Sequence, residues 1–183
     1  MDLSAVGVIL SGRLFYAPDG SPIPAKADLG SAAWELPVPF IPAGLFPTDG
    51  GFESVLEPSG DPTAFFQDGY SLPTGLATAT LKVALAQTDD RVRALLWGRV
   101  PDANGVIDID AGGHATRYVL YAEEIFKDGR IRRRIGPIAT VKSVTEVKSE
   151  RGAVKGYEVT FAFARSSDLD GNGHLREALL AAA

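Results

Sequence analysis

The segment Tyr157-Glu158-Val159-Thr160-Phe161-Ala162-Phe163 alternates large apolar residues with polar or small ones along its whole length. Side chains on a strand point to opposite faces in turn, so this pattern specifies a β-strand with one buried face. Thr78-Ala79-Thr80-Leu81-Lys82-Val83-Ala84-Leu85 repeats the pattern, with Leu81, Val83 and Leu85 in phase. Between and around these runs the chain is heavily punctuated, since 20 glycines and 12 prolines fall within 183 residues. That spacing suits short strands joined by loops better than long helices.

The carboxyl half reads as an antiparallel meander. Thr116 to Phe126 is expected as a strand, Lys127-Asp128-Gly129 as a turn, and Arg130 to about Val147 as a long strand interrupted at Gly136-Pro137. Glu150-Arg151-Gly152 turns the chain into the Tyr157 strand. Asp-Gly between alternating runs is a strong hairpin signal. One convincing internal helix spans about 88–98. Thr88 is placed to cap it, Asp89 and Asp90 favour its first turn, and Gly98 ends it. Val92, Leu95 and Leu96 form its buried stripe, which Trp97 joins.

The amino-terminal part, to about residue 76, is richer in loops. A short strand starts at Gly12 and runs into a turn at Asp19-Gly20, and Phe52 to Glu57 forms another extended piece. Pro37, Pro39 and Pro42, with Pro47 just beyond, argue against a central strand from Trp34 to Phe46. An edge-like or subunit-crossing path is expected there. Asp68-Gly69 marks a turn, residues 1–10 an amino-terminal arm, and residues 174–183 a tail that is a short helix or frayed. The whole, 1–183, reads as one mainly β domain.

Charge narrows the function. A net charge of −5 disfavours gripping nucleic acid, because that affinity comes largely from neutralising phosphates. The one concentrated positive run is Arg130-Ile131-Arg132-Arg133-Arg134. On a strand, Arg130, Arg132 and Arg134 face one side while Ile131, Arg133 and Ile135 face the other. Contacts with solvent or a neighbouring subunit are expected for these arginines in preference to nucleic acid. The absence of cysteine excludes disulfides and thiolate metal sites. The amino end lacks a basic, apolar leader and nothing approaches a membrane span, so a cytoplasm-like compartment is expected.

Candidate chemistry is sparse. Asp168, Asp170 and Asn172, with Gly173 in sixth place, resemble the start of an EF-hand calcium loop. The twelfth place holds Leu179 rather than a bidentate Glu, so a plain turn is expected. His114 could act as a general base with Asp108 or Asp110, yet no serine sits in a nucleophile elbow. Glu123 and Glu124 fall on opposite strand faces and cannot form a close acid pair. The Gly50-Gly51 and Gly112-Gly113 pairs lack the spacing of phosphate-binding loops. No catalytic, cofactor-binding or metal residue is assigned, and no enzyme activity is expected.

The order of these elements resembles the major tail (tail tube) proteins of long-tailed, siphovirus-type phages, particularly those infecting actinobacteria. The resemblance runs over about residues 7 to 170. It rests on Gly12-Arg13-Leu14-Phe15-Tyr16-Ala17-Pro18, Leu45-Phe46-Pro47-Thr48-Asp49-Gly50-Gly51, Thr78 to Val83 followed by Asp89 to Gly98, Arg117 to Glu123, and Tyr157 to Phe161. It implies an antiparallel β-sandwich or barrel, with one short α-helix and long loops, in a structural virion protein whose six-membered rings stack into a tube for genome delivery. Its partners would then be copies of itself, the tape-measure protein, the tail terminator and baseplate proteins, with DNA passing through without specific binding. Its place would be the virion tail, after synthesis in the host bacterial cytoplasm. A tail terminator, head-tail joining or decoration protein is the nearest alternative. From another class, a β-sandwich ligand-binding module would display exposed aromatics, for which Trp34 and Phe65-Phe66 are the conspicuous candidates.

Overall fold

The computed structural model of the chain describes residues 7–47, 50–57, 63–64, 71–72, 77–110 and 112–182. It is mainly β. Strands β1 (Ile9–Pro18), β2 (Ile41–Pro42), β3 (Phe52–Glu57), β4 (Thr63–Ala64), β5 (Ser71–Leu72), β6 (Thr78–Leu85), β7 (Arg117–Phe126), β8 (Ile131–Glu146), β9 (Tyr157–Phe163) and β10 (Arg176–Leu180) are joined by helices α1 (Lys26–Leu29) and α2 (Asp90–Trp97). Eight strands form one antiparallel sheet in the order β2-β1-β7-β8-β9-β6-β3, with β10 added on β8, while β4 and β5 pair only with each other.

The 16-residue β8 organises the molecule. Its first part, Ile131 to Ile135, lies between β7 and β10. Its second part, from Ala139 on, pairs with β9. Gly136-Pro137 does not interrupt the strand as expected. Tyr118 pairs with Ala139 and Leu120 with Gly136, so one β7 residue faces two on β8. This is a β-bulge, which tolerates a proline that cannot donate to the ladder and bends the strand sharply. Gly136 itself is packed upon, since a Cβ there would lie 2.3 Å from the Phe163 ring.

The bend folds one half of the sheet over the other. Leu14, Tyr16, Tyr118, Leu120 and Ala122 from β1 and β7 meet Leu81, Val83, Leu85, Val159 and Phe161 from β6 and β9, with α2 closing the side. The alternation read from β6 and β9 is the packing observed, with Leu81, Val83, Leu85, Val159 and Phe161 all at 3% exposure or less. A second, smaller core covers the opposite face of β1 and β7. There Ala17, Val119, Tyr121 and Ile135 are roofed by Leu29 of α1 and by Ile23, Trp34, Leu36 and Phe40. The proline-bearing stretch from Trp34 to Phe46 is thus edge-like, contributing only β2 against Phe15 and Tyr16.

Three local details differ from expectation. The α2 cap is Asp89 rather than Thr88, its carboxylate accepting the Val92 N–H at 3.0 Å. The single turn α1 has no clear sequence signal. The tail beyond His174 is neither helix nor frayed: Arg176 to Leu180 pair in register with Ile135 to Ile131. The turn expected at Asp68-Gly69 lies outside the described residues.

Candidate functional site

The arginine run is consumed within the fold. Arg130 bonds Asp128 at 2.7 Å across the hairpin turn, Arg132 bonds Glu124, and Arg134 bonds both Glu177 and Ser54. Arg133 goes further inside. It is 4% exposed, donates to Glu123 at 3.1 Å and to the Leu29 and Ser31 carbonyls at 3.2 and 2.7 Å, and lies 5.5 Å from the Trp34 ring centre. Tyr121 completes the cluster by donating its hydroxyl to Glu123 at 2.9 Å. The expectation of solvent contacts is therefore corrected for Arg133: register places Glu123 beside Arg133 and Glu124 beside Arg132, so each acid neutralises one arginine on its own face. Every polar atom of such a buried pair must find a partner, and the loop carbonyls supply them.

His114 serves the end of α2. Its Nε2 bonds the Leu96 carbonyl at 2.9 Å, and its ring packs edge-on to Tyr118. Tyr118 donates to the Leu95 carbonyl and Tyr16 to the Arg91 carbonyl, each at 3.2 Å. The Leu95 and Leu96 carbonyls are among those a helix end leaves unpaired, whereas the Arg91 carbonyl reached by Tyr16 lies in the first turn. Gly98 follows with φ of 64°, where a Cβ would meet the His114 ring at 2.5 Å. Neither Asp108 nor Asp110 bonds His114: Asp110 instead accepts the Gly112 N–H at 2.8 Å.

Burial pushes the Tyr118 hydroxyl up to about 12, raises Tyr16, and raises Tyr121 further still, where Glu123 adds repulsion. A raised phenol favours the protonated fold, so its contribution is complete below pH 10 and is lost as pH climbs from 10 toward 12. Tyrosinate absorbance and stability measured together across that window are expected to change together. Tyrosines ionising fully at pH 10 in the folded protein would contradict this packing.

The Asp168 to Asn172 segment is a turn, as expected. Asp168 accepts the Ser166 hydroxyl, Asp170 pairs with Lys26, and Asn172 takes a left-handed φ of 53°. The Lys26 ammonium holds the Asp170 carboxyl below its usual range. No group of three or more metal-ligating side chains converges among the described residues. Trp34, a candidate for an exposed aromatic patch, is half-buried against Tyr121 at 5.8 Å. Phe65-Phe66 lies outside the described residues.

What the sequence did not signal is a groove of about 810 Å³ along the outer edge of β1. One wall is Ile9 to Phe15; the other is built from Leu45, Phe46, Pro47 and Phe52. Phe52 covers Gly12, where a Cβ would approach its ring to 2.7 Å. Toward the start of β1, Val8, Ile9 and Leu10 are 57%, 47% and 69% exposed. Among the described residues no strand pairs the outer edge of β1 before Phe15. An open strand edge flanked by apolar side chains is an association surface, because its N–H and C=O groups seek partners.

The sequence matches no protein-family model, and no curated protein matches it significantly. Among the described residues no helix is long and apolar enough to cross a membrane.

Proposed function

We propose that this chain is a structural protein of a long-tailed phage virion, whose copies join edge to edge into rings that stack as the tail tube. The observation that carries the reading is the open, apolar β1 edge of an otherwise continuous antiparallel sheet. Joining such edges around a ring removes them from solvent, and a head-to-tail contact between rings extends naturally into a filament. The overall charge of −5 suits a conduit for DNA, since an acidic lining repels phosphate and prevents sticking. The tube would be passive, made of six-membered rings, assembled on a tape-measure protein and bounded by terminator and baseplate proteins. Its location would be the virion tail.

Negative-stain electron microscopy of the purified protein across a concentration series tests this. Stacked rings or tubes with a central channel are expected. Monomers at every concentration would contradict the reading. Closed rings that never stack would assign the chain to the terminator or head-tail joining class instead.

A further inference from the structure

The groove beside β1 has a counterpart elsewhere on the same chain. In Val106-Ile107-Asp108-Ile109-Asp110 the last four residues alternate isoleucine with aspartate, the pattern of a strand, yet the segment belongs to no strand or helix. Turns hold the segment at both ends. The Val106 N–H donates to the Asp102 carboxylate at 2.8 Å, and the Asp110 carbonyl accepts from Gly113 at 3.1 Å. Between these anchors the backbone of Ile107, Asp108 and Ile109 has no hydrogen-bond partner among the described residues. Val106 and Ile109 are 59% and 55% exposed.

The β1 edge offers what this segment lacks. The Leu14 carbonyl points to the open side, accepting from Ala43 N at 2.8 Å, so the backbone of Gly12, two residues earlier, points there too. The open length runs from Ile9 to Arg13; the register against β7 slips between Ile9 and Ser11, so its regular part is Ser11 to Arg13, where the middle of the segment sets Asp108 opposite Ser11 and diagonal to Arg13. Charge also matches: Arg13 is exposed and forms no ion pair among the described residues, and neither does Asp108. Alternation sorts the rest. With Asp108 on the Arg13 side, Ile107 and Ile109 turn toward the groove wall of Leu45, Phe46 and Phe52.

We propose that residues 106–110 of one copy add as a strand to the β1 edge of a second copy, Asp108 reaching Arg13 across the diagonal. Main-chain bonds supply the attachment and the alternating side chains set its face. Each copy carries one donor and one acceptor, so the contact is head-to-tail and propagates until it closes. This names the contact within the assembly proposed above and rests on that reading.

Sedimentation velocity of the full chain across a concentration series provides the test. Arg13→Glu and Asp108→Arg are each expected to weaken self-association about tenfold or more. Circular dichroism melting should remain unchanged for both, since each residue is exposed. An equimolar mixture of the two variants should recover association, because the carboxylate introduced at position 13 of one chain then meets the guanidinium introduced at position 108 of the other. Variants that associate like the parent, or a mixture that fails to recover, would overturn the strand exchange while leaving an assembling parent protein intact. A parent chain that never associates would overturn both this contact and the tube.

Discussion

Arg133→Ala is expected to destabilise the protein by about 3–5 kcal/mol, read as a lower denaturant midpoint with an unchanged slope. The substitution leaves the Glu123 carboxylate, 12% exposed, without its cation, and leaves the Leu29 and Ser31 carbonyls without their donor. Burying an unpaired charge costs far more than an exposed ion pair gains, which at this surface is about 0–1 kcal/mol. Arg132→Ala also strands a carboxylate, since the Glu124 side chain is 8% exposed, so it should destabilise as well; what Arg133→Ala adds is the loss of the donor to two loop carbonyls. Arg133→Lys should rescue little, because an ammonium cannot reproduce the fork that reaches Glu123 and two carbonyls together. Joint replacement of Arg133 and Glu123 by Met and Leu should recover much of the loss. An Arg133→Ala midpoint equal to that of the parent would show that the cluster does not hold the α1 loop.

Phe161→Ala should cost a similar amount, about 3–5 kcal/mol, by a different route. Phe161 has no exposure and stands on β9 between Leu81 of β6 and Val141 of β8. Removing its ring opens a cavity at the fold line between the two halves of the sheet. Against a total stability of about 5–15 kcal/mol, that is enough to unfold a substantial share of molecules on mild heating. Phe161→Leu, which keeps most of the volume, is expected to cost about 1.5 kcal/mol or less. If both substitutions shifted the melting temperature equally, cavity volume would not be the cause.

The contrast between these two residues also marks what could be read from the sequence. Phe161 announced itself by period-two alternation, a property of neighbouring residues alone. So did Leu81, Val83 and Leu85, and the α2 stripe of Val92, Leu95 and Leu96 declared a 3.6-residue period. Arg133 was only half legible. The alternation put it correctly on the face of Ile131 and Ile135, but its burial depends on Glu123 in register and on a loop a hundred residues earlier. Charge suggested solvent; tertiary partners decided otherwise.

The same applies to Arg176-Glu177-Ala178-Leu179-Leu180, whose residues favour helix individually. The exposed edge of β8, and the Arg134–Glu177 pair across it, override that preference. Gly136-Pro137 looked like a break because proline cannot join a ladder. The bulge that accommodates it depends on the β7 register, which no local window contains. The groove was invisible for the same reason: its two walls are brought together only by folding, and one wall is the edge of a strand.

The pairing of β1 with β7 also sets a timetable for the chain as it is made. Pro18 lies opposite Tyr118, so even the nearest partners of this pairing are a hundred residues apart in the chain. At a synthesis rate of about 5–20 residues per second, the first strand emerges roughly 5–20 seconds before its partner exists. During that interval β1 has only the two-residue β2 to pair with, at Phe15 and Tyr16, and Val8, Ile9 and Leu10 have no strand to join. A ribosome-bound fragment stopped before residue 117 should therefore be protease-sensitive along β1 and should engage chaperones that recognise extended apolar segments. Release of β7 ends that exposure on one side of the strand, and the other side remains open in the finished molecule.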